Sequence, residues 1–234
     1  MSCSDVAGTP GEVLPVRRSA WVTAAICLVV FAVMAILVVG GVLAKSDLAG
    51  DNWAYGLERP GLTAAFIAFT RAGEWYTYVA VALVLFVVPR WRWQFGVPVA
   101  AVMVASRALN TLLKISFRIP RPDMHRLIGE SGFSFPSGHA MNGAACAGIC
   151  ALLVWHYAGR RWVRVTVAVL LALFVLMVGC SRVYLGVHNP SDIIAGFAMG
   201  LCVAFVGWAV ACYWERLWHC LVSVCRRTAQ PESM

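Results

Sequence analysis

Long apolar blocks alternate with short polar segments along the whole chain. The blocks occupy residues 19–44, 75–88, 95–117, 136–157, 165–180 and 190–214. An α-helix needs about 20 apolar residues to cross the hydrocarbon core of a bilayer. The block at 75–88 is short and is expected to extend before Glu74, while the fifth block continues towards Leu185. The pattern predicts an all-α, polytopic membrane protein with six transmembrane helices.

The polar segments define the expected domain organisation. Residues 45–74 are mixed in character, and the apolar stretch 62–70 is too short to span, which favours a short interfacial helix in this first outer loop. Residues 1–18 and 215–234 are polar and are expected to be cytoplasmic tails. Between them, residues 19–214 are expected to form a single six-helix membrane domain.

Composition and charge agree with a membrane protein. Hydrophobic residues make up 61% of the 234 positions and charged residues 13%, whereas soluble domains carry about 25% charged residues. The net charge of +8 comes largely from basic residues beside the apolar blocks, which argues against nucleic acid as a partner. Four basic segments share one predicted side, namely Arg17-Arg18, Arg90 with Arg92, Arg160 with Arg161 and Arg164, and the C-terminal tail. Because such residues concentrate in the cytoplasm, both termini are expected there, with loops 45–74, 118–135 and 183–189 outside.

Three polar clusters lie at the outward ends of the predicted helices. They are Lys114 to Arg121-Pro122, Pro136-Ser137-Gly138-His139, and Ser181-Arg182 through His188 to Asp192. Charged side chains at a membrane boundary are costly and usually functional or paired. Because all three clusters are expected at the same membrane face, they can converge on one site.

The residue types in these clusters suit a phosphate group. Lys114, Arg121 and Arg182 supply positive charge, and arginine binds two oxygens at once. Ser137 and Gly138 open a predicted helix, whose free N–H groups and dipole favour an anion. Together they predict an oxyanion cradle that needs no metal.

Two histidines are expected to divide the catalytic work. His188 has Asp192 four residues on, so the carboxylate can hold one ring nitrogen and leave the other to attack phosphorus. His139 has no carboxylate nearby in sequence and fits a general acid that protonates the leaving oxygen. Water would then hydrolyse the phosphohistidine, with His139 acting as base.

Each feature also has a simpler interpretation. Asn189-Pro190-Ser191-Asp192 is a good helix start on its own, and Ser134-Phe135-Pro136 is another. A single histidine is more often structural than catalytic, and Arg182 alone suits an interfacial anchor. These interpretations do not explain why all three clusters face one side of the membrane.

The three clusters resemble the signature of the type-2 phosphatidic acid phosphatase superfamily, which includes membrane lipid phosphatases and the related vanadium haloperoxidases. Its pattern is K-x6-R-P, P-S-G-H and S-R-x5-H-x3-D, and every signature position matches here. The resemblance implies His188 as nucleophile, Asp192 as its partner and His139 as acid. It also implies phosphate binding by Lys114, Arg121, Ser137, Gly138 and Arg182, with no metal or other cofactor.

Some polar residues outside the signature keep two interpretations. Arg107 lies on one stripe with Asn110 or Thr111, Lys114 and Arg118. The stripe is either paired inside the bundle or lines a pocket for a second phosphate or a head group. In the outer loop, His125 and Arg126 either meet a head group or belong to an ordinary solvated loop.

The expected function is hydrolysis of a lipid phosphate or pyrophosphate at the outer face, with the substrate entering from the membrane. Undecaprenyl pyrophosphate, phosphatidic acid and phosphatidylglycerol phosphate all fit. Outward topology slightly favours the undecaprenyl carrier. Transfer of the phosphate to another lipid, and a catalytically silent transporter or lipid-binding protein, are the alternatives. Membrane lipids are the expected surroundings, and the sequence leaves the oligomeric state open.

Overall fold

The structure, a computed structural model, describes the backbone of residues 18–123 and 125–228, with side chains described as far as Trp214. This part of the chain contains eight α-helices: α1 (Arg18–Val39), α2 (Ala44–Tyr55), α3 (Pro60–Ala72), α4 (Trp75–Val87), α5 (Val97–Phe117), α6 (Gly138–Tyr157), α7 (Arg161–Tyr184) and α8 (Pro190–Thr228). A π-helical turn, Arg92–Gly96, leads into α5. The predicted tail segments 1–17 and 229–234 lie outside the described residues.

Within the described part of the chain, five helical segments are long and apolar enough to cross a membrane. They are α1, Arg92–Phe117, α6, α7 and the Pro190–Trp214 part of α8. The fold is helical and the described residues form no strand, so the all-α prediction is confirmed. Helix α4, the second predicted span, has 13 residues. Its length of about 20 Å is less than the roughly 30 Å of a hydrocarbon core.

The short length of α4 corrects one expectation. The helix was expected to extend before Glu74, but Gly73 ends α3 and Glu74 is in extended backbone conformation. A Cβ atom at Gly73 would lie 2.5 Å from a methyl carbon of Val178 on α7. The chain therefore turns at this glycine because it packs directly against α7.

Two helices, rather than one, occupy the first loop. The apolar stretch 62–70 lies inside α3, whereas α2 forms from the polar residues before it. Asp47 of α2 accepts hydrogen bonds from the Ser191 backbone N–H (3.0 Å) and hydroxyl (2.6 Å). A Cβ atom at Gly50 would lie 2.7 Å from the Pro190 ring. Helix α2 is thus held by contacts with the start of α8, which local hydrophobic periodicity does not reveal.

Helix α8 is the centre of the packing, with its most extensive contacts to α6 and α1. Its backbone continues past the predicted end of the sixth span, to Thr228. A Cβ atom at Gly196 would lie 2.8 Å from the Ser137 carbonyl oxygen, so only glycine permits this approach. The close contact holds the start of α6 beside the start of α8 and thereby brings two of the three polar clusters together.

Candidate active site

The polar clusters meet at one end of the helix bundle. This end holds the C-termini of α5 and α7 and the N-termini of α4, α6 and α8. A cavity of about 390 Å³ lies between them, and its lining includes Lys114, Arg121, His139, Arg182 and His188. Its size is in the range of small-molecule sites. A larger hollow of about 620 Å³ between α2 and α3 contains none of the signature residues.

His188 lies in the turn before α8 and is 1% exposed. Its Nδ1 atom is 3.4 Å from a carboxylate oxygen of Asp192, and its Nε2 atom is 3.0 Å from Nη1 of Arg121. A guanidinium group has no acceptor, so a hydrogen bond here requires a lone pair on Nε2. The ring proton is therefore assigned to Nδ1, on the Asp192 side, and Nε2 is left unprotonated towards the cavity.

The charge state of His188 follows from its surroundings. Burial, and then the nearby charges of Lys114, Arg121 and Arg182, hold the pKa of His188 well below its usual value. A lowered histidine pKa means that the neutral ring persists at neutral pH and below. The Nε2 lone pair is therefore available at the pH of most cellular compartments.

Ser134 also belongs to this histidine site, although the sequence suggested only a helix start for it. The side chain is fully buried. Its hydroxyl donates to Asp192 Oδ2 at 2.5 Å and lies 3.1 Å from His188 Nδ1. The backbone N–H of Asn189 donates to the same carboxylate oxygen. Ser134 therefore fixes the carboxylate that orients His188.

Replacing Ser134 by alanine is expected to lower kcat about 10-fold to 100-fold, because a hydrogen bond to a charged group contributes about 1.5–3 kcal/mol. Phosphate release at saturating substrate measures the effect. Ser116→Ala is the matched control, since Ser116 is exposed and bonds only the Leu112 carbonyl among the described contacts. An unchanged kcat in Ser134→Ala would show that Asp192 is positioned without the serine.

Arg121 is anchored by backbone carbonyl groups on both sides of the cavity. It donates to Gly132 (3.1 Å), Ser131 (3.1 Å) and Val187 (2.9 Å). These bonds fix the guanidinium group beside Nε2 of His188. The predicted phosphate-binding residue is thus held beside the predicted nucleophile.

Glu130 joins the two arginines and was not predicted from the sequence. Its carboxylate accepts a hydrogen bond from Arg182 at 2.5 Å and lies 3.7 Å from Nη2 of Arg121. Arg182 is 1% exposed and also donates to Thr70. Nearby, Lys114 donates to the Phe133 carbonyl at 2.5 Å. The Glu130 carboxylate therefore occupies a position where an anion binds between two guanidinium groups.

His139 lies in the first turn of α6 and faces the same cavity. Its Nε2 atom is 3.4 Å from a carboxylate oxygen of Glu74, the residue before α4. The contact with His139 is the main cause that lowers the pKa of Glu74, so this carboxylate is ionised at neutral pH. His139 thus has an acidic neighbour after all, brought from a distant part of the chain.

The start of α6 differs from the predicted donor site in one detail. The backbone N–H of Ser137 donates to the Asp192 carbonyl at 3.1 Å, so it is not free to bind an anion. Gly138 lines the cavity, and a Cβ atom there would lie 3.0 Å from the Asn110 side-chain oxygen. Asn110 itself donates to the Pro136 carbonyl at 3.2 Å. This glycine therefore permits close packing of α5 against α6 beside the site.

His125 and Arg126 lie away from the cavity lining. The His125 ring stacks on Tyr55 with 3.6 Å between ring centroids. Arg126 pairs with Asp123 at 2.9 Å. Both contacts belong to the loop between α5 and α6 and its docking on α2, so the geometry favours the loop interpretation over head-group binding.

Comparison with known proteins agrees with this architecture. A model of the PAP2 superfamily matches residues 95–218, which is more than half of the 234 residues and includes all three clusters. The chain belongs to the PAP2 superfamily. The resemblance drawn from the signature residues is thereby confirmed.

Two curated relatives and one solved structure are similar to the chain. Phosphatidylglycerophosphatase B of Bacillus subtilis is 39% identical over 112 residues, covering 47% of this chain and 55% of that protein. Decaprenylphosphoryl-5-phosphoribose phosphatase of Mycobacterium tuberculosis is 31% identical over 159 residues, covering 64% and 81%. A crystal structure of a transmembrane PAP2-type phosphatidylglycerolphosphate phosphatase from Bacillus subtilis superposes with a TM-score of 0.74 at 28% identity, covering 80% of this chain and 95% of that one. The alignment with the first relative spans little more than half of that protein's length.

Proposed function

We propose that this PAP2 protein is an integral membrane lipid phosphatase that hydrolyses a lipid phosphate or pyrophosphate through a phosphohistidine on His188. The observation that carries the proposal is the state of His188: a buried, neutral ring with Nδ1 towards Asp192 and Nε2 towards Arg121 and the cavity. A lone pair beside an anion-binding guanidinium is the arrangement that attack on phosphorus requires.

In the proposed first step, Nε2 of His188 forms a bond to phosphorus while the bond from phosphorus to the lipid oxygen breaks. Asp192 stabilises the positive charge that develops on the ring. Lys114, Arg121 and Arg182 hold the charged oxygens of the transferring group. The leaving lipid oxygen takes a proton from His139, which lies 3.4 Å from the Glu74 carboxylate.

In the second step, water attacks the phosphohistidine. His139, which has lost its proton, removes a proton from the water. The bond from phosphorus to Nε2 breaks, inorganic phosphate leaves, and the neutral ring of His188 is restored. Substrate phosphate has to displace the Glu130 carboxylate from Arg182, because both anions need the same donors.

The cavity offers a path for the lipid tail. Its lining reaches Trp75 on α4 and Ile115 on α5, which are 54% and 52% exposed. The opening therefore faces sideways between two apolar helices. A lipid can place its phosphate at His188 while its tail remains in the bilayer, which supports a lipid as substrate over a soluble phosphate ester.

Contacts along α4 support the six-span topology despite the helix's short length. Its start, after Glu74, lies beside the start of α6. At its other end, a Cβ atom at Gly96 would lie 2.7 Å from the Phe86 Cα, and the neighbouring Phe95 packs on Tyr157 at the end of α6. Helix α4 and its flanking residues thus cover the same depth as α6. Six crossings would put both termini on one side of the membrane, and the basic segments favour the cytoplasm for that side, which leaves the active site outside.

The lipid itself is the finer part of the proposal. The named activities of the two relatives favour phosphatidylglycerol phosphate and a phosphorylated decaprenyl sugar as candidates. The preference for undecaprenyl pyrophosphate rests on the outward site and stays a prediction.

Phosphate release by the purified full chain in detergent tests the proposed function. We expect release from at least one of phosphatidylglycerol phosphate, phosphatidic acid and undecaprenyl pyrophosphate, at the same rate with and without a chelator, because the proposed chemistry uses only side chains. Adding a second lipid alcohol should leave inorganic phosphate as the main product. Absence of release from all three lipids, or release only with added divalent metal, would contradict the proposal.

A further inference from the structure

Arg107 lines the same cavity as His188 but has no role in the mechanism above. It lies on α5, seven residues before Lys114. That separation is about two helical turns, or roughly 10 Å along the helix axis. The cavity therefore extends from the catalytic end of the bundle into the depth of a spanning helix and carries a cation there.

The charge of Arg107 is uncompensated among the described side chains. None of the ion pairs found in residues 18–123 and 125–214 includes it, and its side chain is exposed. Arg121 and Arg182, in contrast, both face Glu130. The sequence left two interpretations of Arg107, and one was pairing inside the bundle. The structure does not support that interpretation.

A cation within a spanning helix is expensive unless an anion or water meets it. A lipid bound at His188 has its scissile phosphate at the catalytic end and its tail in the membrane. A lipid that follows α5 from that phosphate towards the middle of the bilayer passes the deeper part of the cavity, where Arg107 and Thr111 belong to the lining. Thr111 donates to the Arg107 carbonyl and carries no charge. The charge on this part of the lining is therefore that of the Arg107 guanidinium.

We propose that Arg107 binds a second phosphate, located on the tail side of the scissile phosphate, and so selects lipids with two phosphate groups. The inference rests on the proposed function. Two kinds of lipid carry such a group: a prenyl diphosphate, and a lipid whose terminal phosphate is joined through a polyol to a phosphodiester. Phosphatidic acid carries none, because its single phosphate is attached directly to the diacylglycerol.

The test compares Arg107→Gln and Arg107→Lys with the parent on phosphatidylglycerol phosphate, undecaprenyl pyrophosphate and phosphatidic acid. Loss of one charged hydrogen-bond donor is expected to lower kcat/KM about 10-fold on a two-phosphate lipid, mainly through KM, and less than about 2-fold on phosphatidic acid. Arg107→Lys should retain part of the activity. Arg118→Gln is the matched control, since Arg118 ends the same helix, is exposed and lies outside the cavity lining.

The outcomes separate the two proposals. A selective loss on either two-phosphate lipid supports the inference and identifies the source of the second phosphate. Equal losses on all three lipids, no loss on any, or a parent that hydrolyses phosphatidic acid alone would overturn it while the phosphatase assignment stands. A parent that releases phosphate from none of the lipids would contradict the proposed function itself. Activity of Arg107→Gln on phosphatidic acid shows that the variant is folded.

Discussion

Replacing His188 by alanine is expected to lower kcat at least about 10⁴-fold, because the variant lacks the atom that forms the bond to phosphorus. The remaining cations still bind the phosphate, so KM should change much less than kcat. Phosphate release by the purified variant at saturating lipid, followed over hours, measures the residual rate. A variant within about 10-fold of the parent would contradict the assignment of His188 as nucleophile.

The control for His188→Ala is His125→Ala. His125, in the loop between α5 and α6, stacks on Tyr55 of α2 and is absent from the cavity lining. Its loss should leave kcat within about 2-fold of the parent, since it touches no group used in the mechanism. Both variants are checked by gel filtration in detergent, because a shared loss of folding would otherwise resemble a shared loss of catalysis.

Replacing His139 by asparagine is expected to affect substrates according to their leaving groups. A lipid alcohol is a poor leaving group and needs a proton, so kcat on a lipid phosphate should fall about 10³-fold, within the usual range for a general acid. For p-nitrophenyl phosphate the leaving phenolate needs no proton, so its release in the first turnover, before water attacks the phosphohistidine, should slow less than about 10-fold. Leaving-group release in the first turnover, measured on both substrates with the same protein sample, gives the comparison.

Glu74→Gln is a separate variant that is measured beside His139→Asn. Glu74 lies 3.4 Å from His139 and contributes charge without taking part in proton transfer. Its loss should reduce lipid phosphate hydrolysis by less than the loss of His139 and should move the alkaline limb of the pH–rate profile to lower pH, because an imidazolium without its carboxylate gives up its proton more readily. Equal losses in the first-turnover rate of His139→Asn on both substrates would indicate phosphate binding rather than proton donation.

The predicted site residues that the structure brings together share one property: their chemistry is expressed in local spacing. His188 and Asp192 are four residues apart and meet within a single turn and helix start. The helix ends that carry Lys114, His139 and Arg182 follow from the boundaries of apolar blocks. The structure brings all three to one cavity, as expected from blocks that cross a membrane in alternating directions.

The residues that the sequence missed act across long separations. Ser134 contacts His188 and Asp192 from the loop before α6. Glu74 contacts His139 from the position just before α4. Glu130 lies in an irregular loop between two arginines on different elements. No periodic pattern along one sequence predicts such contacts. An acidic residue in a loop beside basic clusters, such as Glu130, does indicate an ion pair with one of them.

Helix α2 was missed for a related reason. Its residues are polar on several faces. The helix is held by the hydrogen bonds between Asp47 and Ser191 at the start of α8, and by the close approach of Gly50 to Pro190. The short α4 illustrates the reverse limit. Its apolar residues predict a span, but the position where the helix begins depends on Gly73 packing against α7.

Capture of the phosphorylated enzyme tests the central claim most directly. Purified protein is mixed with lipid phosphate labelled with ³²P, quenched in alkali within milliseconds to seconds, digested and examined by mass spectrometry. The proposed mechanism predicts a label that is stable in alkali, lost in acid and located on His188, with none in His188→Ala. A label on any other residue, or phosphate release by His188→Ala at the parent's rate, would contradict it.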